Sequence, residues 1–477
     1  MSLVVYNTLS RKKETFTPIE KGKVKMYLCG PTVYGLLHVG NFRGPIFFNF
    51  VRNWLEYLGY KVTFVYNYTD VDDKIIAQAQ LEGVSSAALA NHYIEEFKTD
   101  FGRLNLRPHE LNPKVTETMP EIIEMIGELI GKGKAYVVKK DVNYSIRAFE
   151  GYGKLSNRNI QELMAGTRIE RDFDKKDPLD FALWKGAKPG EPAWTSPWGE
   201  GRPGWHIECS AMIRKHLGDA IDIHGGGLDL MFPHHENEIA QSEGCTGRSF
   251  VRYWMHNNMI NFGGSKMSKS LGNIMRAREF MDLHHPEIFK FMMMSVHYRS
   301  VLDLSDEAVE HSIKGLARIY SAMALAESLI TSDTKPEPAF EKVCAEAWEQ
   351  ITVAMNDDFG TPEAFARVFE IVRQYNAAVK RGMKANPAVS GKSLAFLSFM
   401  KKFGALMSLF QLKSGDFLKA LDDMLLAKLQ LERAKVQALV NERAEARAAK
   451  NFARSDELRL RLTEMGISVA DLPEGSF

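Results

Sequence analysis

The stretch from Lys23 to Asp73 constrains the fold more than any other. Lys23-Val-Lys-Met-Tyr-Leu28 is a β-rich apolar run that breaks at Cys29-Gly30-Pro31. A loop leads to His38-Val-Gly40-Asn41, an apolar run of helical length follows, and a second β-branched run spans Lys61 to Tyr66. Strand, broken loop, helix and strand make one βαβ unit, with the loop at the carboxyl end of its first strand. In an open parallel sheet, ligands bind at that end. A helix beginning near Gly40 would offer free backbone N–H groups to phosphate. Gly40 lets the backbone approach a ligand, and His38 and Asn41 can both donate hydrogen bonds. Pro45 requires the helix either to start nearer Arg43 or to kink.

His38-Val-Gly40-Asn41 resembles the His-x-Gly-His signature of class I aminoacyl-tRNA synthetases, with Asn41 in place of the second histidine. The run Gly263-Gly264-Ser265-Lys266-Met267-Ser268-Lys269-Ser270 resembles their second signature, Lys-Met-Ser-Lys-Ser, without a mismatch. An amide donates to phosphate as a neutral imidazole does but cannot become cationic, so function should survive at Asn41 with less dependence on pH.

Length and charge set the outer limits. A chain of 477 residues suits two to four domains, and a formal net charge of +1 gives no bulk attraction to nucleic acid, so tRNA binding must come from local basic faces. Cys29, Cys209, Cys245 and Cys344 are too few and scattered for a disulfide framework. No long apolar span occurs and the amino terminus lacks an apolar targeting core, so the expected setting is cytoplasmic.

Further along, Thr69-Asp70-Val-Asp72-Asp73 follows the second strand, where Thr69 can meet a substrate and the acids cap a helix. Thr118-Met-Pro120-Glu121 reads as a capping box opening another helix. From Ala135 to Gly204 the pattern changes to a hairpin and a stretch rich in Pro, Gly, Lys and Trp, an insertion between two halves of the sheet domain. The parallel-sheet pattern resumes at Trp205-His-Ile-Glu-Cys209 and at Ile221-Asp-Ile-His224-Gly-Gly-Gly227-Leu-Asp229. Its three glycines suit close approach to a flat ring or a ribose. His234 and Glu238, at i and i+4, share a helix face. With Cys29 and Cys209 they supply two thiolates, an imidazole and a carboxylate, a set suited to tetrahedral zinc. Spacing alone does not choose between His234 and His235, nor exclude Cys245.

The chain as a whole resembles the cysteinyl-tRNA synthetases. Met26-Tyr-Leu-Cys-Gly-Pro-Thr-Val-Tyr34, Thr69-Asp-Val-Asp-Asp-Lys74, Gly204-Trp-His-Ile-Glu-Cys-Ser210 and Met355-Asn-Asp-Asp-Phe-Gly-Thr-Pro-Glu363 carry that likeness beside the two signatures. The resemblance implies one zinc ion on Cys29, Cys209, His234 and Glu238. It implies activation of L-cysteine by ATP with Mg²⁺, followed by transfer to tRNA(Cys). His38, Asn41, Lys266 and Lys269 would be catalytic; Gly30, Gly40, Gly227 and Asp229 would border ATP with them. Thr69, Trp205, His224 and Asp229 would hold the amino acid. Zinc would select thiol over hydroxyl, where a pocket relying on shape separates cysteine from serine poorly.

The expected architecture is α/β: a Rossmann-like parallel sheet with an insertion, then an all-α bundle and a small carboxyl-terminal helical domain. Its boundaries fall at 1–133 and 205–262 for the two catalytic halves, 134–204 for the insertion and 263–304 for the second signature and its linker. The bundle takes 305–410 and the anticodon-end domain 411–477, in a monomer. Arg443, Arg447 and Lys450, an i, i+4, i+7 series, form the expected tRNA-binding face. A small-molecule cysteine ligase could share the sheet and both signatures, but the long basic carboxyl-terminal region speaks against it. A non-catalytic tRNA-binding relative would have no need of Lys266 and Lys269.

Overall fold

The computed structural model describes residues 2–159, 175–262, 265–266, 275–468, 471–472 and 475–476. The chain forms two compact units. The first comprises Met1–Phe280, Val296–Leu304 and Met355–Gly360, the second Met281–Ser295, Ser305–Ala354 and Thr361–Phe477.

After a short hairpin of β1 (Val4–Asn7) and β2 (Lys12–Thr15), the first unit is built on four parallel strands. These are β3 (Lys23–Leu28), β4 (Lys61–Tyr66), β9 (Ile221–Gly227) and β10 (Val251–Asn257), in the order β10-β9-β3-β4. The register runs Lys23↔Lys61 to Leu28↔Tyr66 on one side of β3 and Met26↔Ile223 to Leu28↔Gly225 on the other. The chain winds outward from β3 to β4 and then outward the opposite way from β9 to β10. The direction reverses between β3 and β9, which opens a crevice at their carboxyl ends.

Helix α1 (Arg43–Tyr57) links β3 to β4. One 3₁₀ turn, Val39–Phe42, precedes it, so the α-helix starts at Arg43 and Pro45 falls in its first turn, where no helical hydrogen bond is lost. Every residue from Arg43 to Leu55 is buried, including Arg43, Asn49, Arg52 and Asn53, so the polar side of this helix is covered by protein as well as its apolar stripe. Next come α2 (Asp73–Glu82), capped by Asp72, α3 (Ser86–Arg103) and α4 (Met119–Gly131). The expected capping box at Thr118 does not form. Its hydroxyl donates to the Lys114 carbonyl at 3.0 Å and makes no cap bond, although Pro120 does sit in the first turn.

The insertion is a four-stranded antiparallel sheet of β5 (Ala135–Val138), β6 (Asp141–Tyr144), β7 (Phe181–Gly186) and β8 (Gly201–Pro203). Its first hairpin turns at Lys139-Lys140, with Lys139 at φ 56°. Helix α5 (Trp205–Leu217) and helix α6 (Glu236–Thr246) flank β9 and pack with α4 over one apolar core that includes Ile122, Ile126, Ile207 and Met212.

The second unit is helical. Asp306–Ser328 packs against Thr361–Ala378, Pro387–Met407 and Ser414–Lys428, and Arg433–Ala448 pairs with Phe452–Glu464 as a helical hairpin. None of the described helices is long and apolar enough to cross a membrane.

Candidate functional site

The crevice between β3 and β9 holds a cavity of about 330 Å³. Cys29, Gly30, His38, Gly40 and Asn41 line it from the β3 side, Gly226, Gly227 and Asp229 from the end of β9, and Trp205 from the start of α5. Asn257 to Ile260, at and just after the end of β10, complete the wall; sequence reading did not single them out, though a strand's carboxyl end is where to look.

The turn at His38 differs in one respect from the sequence expectation. The Gly40 N–H donates to His38 Nδ1 at 3.1 Å, the Asn41 N–H to the His38 carbonyl at 3.0 Å and the Val39 N–H to the Met275 carbonyl at 3.1 Å. These N–H groups are therefore committed within the protein and cannot form the phosphate cradle expected of them. The donors that face the cavity are side chains. Because Nδ1 accepts, the imidazole proton of neutral His38 sits on Nε2. Asn41 Oδ1 accepts from the His38 N–H at 3.1 Å, which leaves its NH₂ as the donor. The backbone of Arg276 bridges that of His38, and the Ala277 N–H donates to the Leu37 carbonyl at 2.9 Å. The segment just after the second signature is thus laced to the first.

Arg43 was not singled out as a site residue. It is 2% exposed and its guanidinium donates to the carbonyls of Asn258 (2.8 Å), Met259 (2.7 Å), His297 (3.3 Å) and Ser300 (2.6 Å), holding the cavity wall at residues 258–259. Burial brings its pKa down to about 10.

Behind the wall formed by Cys29, the residues Cys29, Cys209, His234 and Glu238 bring one ligand atom each within 4.8 Å of one another. Cys29 Sγ lies 3.9 Å from Cys209 Sγ and 3.6 Å from Glu238 Oε1, and His234 Nε2 lies 3.1 Å from that same oxygen. Bond lengths of 2.0–2.3 Å to zinc imply donor separations of about 3.3–3.8 Å around a tetrahedron, so the spacing fits such an ion. A second grouping, Cys29, His224, His235 and Glu238, meets the same distance test. There, however, His224 Nε2 is 2.9 Å from the other Glu238 oxygen and its ring stacks on Trp254 at 4.5 Å. His235 Nδ1 is 2.8 Å from His256 Nε2, and His256 Nδ1 is 2.9 Å from the Thr8 hydroxyl. Cys245 is elsewhere, its thiol 3.7 Å from the Met125 carbonyl.

The electrostatics favour the ligand form of Glu238 and Cys209 and the protonated form of Cys29 and His234. Burial would lower His234, but Glu238 and Cys209 outweigh it and raise the imidazole to about 10. Burial would raise Glu238, but His224 and His234 outweigh it and bring the carboxyl down to about 2. A hydrogen bond from Cys29 lowers Cys209 to about 6, whereas burial pushes Cys29 well up. His234 Nδ1 sits 3.0 Å from His206 Nδ1, which orients the ring so that Nε2 faces the cluster.

Other expected site residues sit differently. Trp205 is 39% exposed, lines the cavity and stacks on His234 at 4.4 Å. His224 is fully buried behind Glu238 and does not line the cavity, because its ring is packed between Tyr27 and Trp254. Thr69 is also buried; its hydroxyl donates to Glu208 at 3.5 Å. The three glycines of β9 meet protein first. A Cβ on Gly225 would strike the Phe48 ring at 2.2 Å and one on Gly226 the His235 ring at 2.6 Å, while Gly227 abuts the Asp229 carboxylate. Lys266 lies on a two-residue strand, its backbone paired with Asn261; Lys269 falls outside the described residues. In the second unit Arg447 and Lys450 are exposed, but Arg443 is 1% exposed, so its guanidinium cannot belong to a tRNA-binding surface.

Comparison with known proteins gives the family. Residues 15–314 match the family profile "tRNA synthetases class I (C) catalytic domain", residues 350–411 the DALR domain and residues 432–475 the "Cysteinyl-tRNA ligase anticodon binding domain". The cysteine--tRNA ligase of Bdellovibrio bacteriovorus is 61% identical over 476 residues, covering 100% of this chain and 99% of its own. That of Aquifex aeolicus is 46% identical over 491 residues, with 100% and 98% covered. Among solved structures, Mycobacterium tuberculosis methionyl-tRNA synthetase bound by methionyl-adenylate shares the fold, with a TM-score of 0.62 at 13% identity over 81% of this chain and 92% of that one. The chain belongs to the cysteine--tRNA ligase family of class I aminoacyl-tRNA synthetases.

Proposed function

We propose that the cavity at the β3–β9 crevice is where this chain activates L-cysteine with ATP before passing it to the 3′ end of tRNA(Cys). The observation that carries this reading is a four-donor cluster that reaches, through Cys29, the wall of a cavity also lined by His38 and Asn41. A carboxylate oxygen of cysteine attacks the α-phosphorus of ATP, the bond to the bridging oxygen breaks, and pyrophosphate leaves with the electron pair. Such a transfer relies on positioning and charge stabilisation. His38 Nε2–H and the Asn41 NH₂ donate to the α-phosphate oxygens, replacing the backbone groups already committed elsewhere. Gly227 and Asp229 border the nucleotide, and Trp205 closes the amino-acid side. Thr69 and His224 act from behind, through Glu208 and Glu238. By resemblance, Lys266 and Lys269 meet the departing pyrophosphate, and magnesium enters with ATP.

Cys29, Cys209, His234 and Glu238 are the preferred ligand set, since two thiols suit zinc where the other grouping offers one, and His224 turns its Nε2 to Glu238. Zinc bound there supplies a thiolate-selective contact, which would separate cysteine from serine where shape alone could not. The domain assignments 1–133 with 205–262 (catalysis), 134–204 (insertion), 263–304 (second signature), 305–410 (bundle) and 411–477 (anticodon end) go with this reading.

The test is charging of unfractionated tRNA with labelled cysteine and ATP, with serine in parallel, on enzyme as purified and after chelation. Cysteine attached and serine refused is the expected result, with zinc content and selectivity lost together. Selectivity unchanged in stripped enzyme would overturn the role of the metal. Pyrophosphate exchange without any charging would overturn the tRNA step.

A further inference from the structure

Asp358 is fully buried, and its carboxylate is held by four hydrogen bonds. Oδ1 accepts from the Tyr6 N–H at 2.9 Å and from the Tyr298 hydroxyl at 2.7 Å. Oδ2 accepts from Nε and Nη2 of Arg299, each at 2.7 Å. The backbone that delivers this carboxylate is strained, with φ 60° at Asp358 and φ 56° at Phe359. A bulky side chain in the left-handed region is an outlier that persists only where surrounding contacts over-determine it. Those contacts are present. The Asp358 N–H donates to the Val4 carbonyl at 2.9 Å, and the Phe359 ring meets Phe47 and Phe50 edge-on, both at 6.0 Å.

Packed apolar side chains of similar volume often hold a core as well as a buried ion pair does, so stability alone is a poor reason for this one. What the carboxylate supplies is direction. Two of its donor residues, Tyr298 and Arg299, belong to the turn at 297–300, and that turn carries the cavity wall. The Asn258 N–H donates to the Tyr298 carbonyl and the Asn258 side-chain NH₂ to the Arg299 carbonyl, both at 2.8 Å. Just beyond the turn, Leu302–Leu304 pairs in parallel with Ile260–Phe262, which also pairs with Ser265–Lys266. One carboxylate thus fixes the turn on which both the Asn258 wall and the Lys266 strand depend. We propose that Asp358 is a positioning residue for the nucleotide. It touches no substrate; through Tyr298 and Arg299 it sets Asn258 at the ATP cavity and Lys266 on the pyrophosphate side. Its four side-chain bonds reach none of Cys29, Cys209, His234 and Glu238, so the thiol end of the site is outside its influence. This inference rests on the function proposed above.

The experiment measures cysteine-dependent ATP–pyrophosphate exchange in the full-length enzyme, with KM determined separately for ATP, pyrophosphate and cysteine. Zinc content and melting point are taken on the same samples. Asp358→Asn keeps the shape and the acceptor for Tyr6 and Tyr298 but removes the charge that Arg299 meets. Tyr298→Phe removes one donor and keeps the ring. Asp358→Asn should raise KM for ATP and for pyrophosphate by about tenfold, the scale of one hydrogen bond to a charged group. Tyr298→Phe should raise both by less. In both variants KM for cysteine and zinc per chain should stay at the parent values. A residue that served only the fold would lower the melting point and leave every KM alone. That result overturns the proposal, as does a rise in KM for cysteine as large as the rise for ATP. If Asp358→Asn does not fold, Tyr298→Phe decides alone, and an unmoved KM for ATP overturns the proposal. An unaltered enzyme that shows no exchange with cysteine would instead overturn the function proposed above, so the two failures are distinguishable.

Discussion

Gly30 lies so close to Asn67 that a Cβ on it would stand 1.6 Å from the Asn67 carbonyl oxygen, and its N–H donates to Asn67 Oδ1 at 2.8 Å. The contact fixes the chain immediately after Cys29. Asn67 is fully buried, so neither partner can retreat. Gly30→Ala should therefore cost about 3 kcal/mol and displace the Cys29 thiol. Thermal melting and zinc per chain, measured together, should both fall. An alanine variant with full metal content and an unchanged melting point would show that the strand end is softer than this contact implies.

Arg43 positions the cavity wall through four carbonyls. Lysine cannot span them from one point charge, so Arg43→Lys should leave some of these carbonyls unpaired, at about 1–3 kcal/mol each. The expected kinetic signature is a raised KM for ATP with less change in KM for cysteine, because Arg43 holds Asn258 and Met259 of the cavity wall and bonds to none of the four donor residues. Equal effects on both substrates would argue for a general loss of the fold.

His109 gives the first unit a sensitivity to acid. Phe64, Tyr66 and Phe101 surround its ring at 4.9, 4.7 and 5.0 Å, and its Nε2 is shut off from solvent without a hydrogen bond among the described residues. Burial, with Arg52 nearby, brings its pKa down to about 3. The unfolded chain takes up this proton near pH 6.5 and the folded chain only near 3, so the contribution is whole above that window and is lost as pH falls through it. The slope for this one group reaches at most about 1.4 kcal/mol per pH unit. Urea midpoints at about pH 7 and about pH 5 should converge in His109→Phe relative to the parent; identical differences would exclude His109 as a source.

Arg447→Ala and Lys450→Ala should each weaken tRNA binding and reduce the slope of log affinity against log salt by about 0.7, one phosphate contact apiece. Arg443→Ala should leave that slope alone and lower the melting point, since its guanidinium is enclosed in the protein. Affinity titrations at several salt concentrations separate the two behaviours.

Much of the catalytic unit is legible in the chain because the periods alternate cleanly. The run Lys23–Leu28, the break at Gly30 and the buried helix ending near Gly59 could form little other than a βαβ unit, and both thiols of the metal cluster sit where that topology converges. What escaped reading was set by distant partners. Spacing put Arg443, Arg447 and Lys450 on one helix face, but Arg443 turns inward and Lys450 lies past the helix end at Ala448, with φ 56°. A strand ending in three glycines looks the same whether a ribose or Phe48 and His235 lie against it. At the His38 turn the Gly40 and Asn41 N–H groups bond to His38 itself, and only Val39 depends on Met275, which no local pattern reveals. Arg43 looked like an ordinary helix start because its four acceptors lie at Asn258, Met259, His297 and Ser300.

The backbone ladder between Leu37–Val39 and Met275–Ala277 means that the two signature motifs are spaced by hydrogen bonds, with the intervening chain free of that duty. The antiparallel sheet of the insertion, β5 to β8, lies between them in the chain and takes no part in that ladder, so it enters and leaves as an excursion from the parallel sheet. Lengthening or trimming that excursion should leave the ladder unmoved. The chemistry of the site and the size of what is spliced into it are thus free to vary separately.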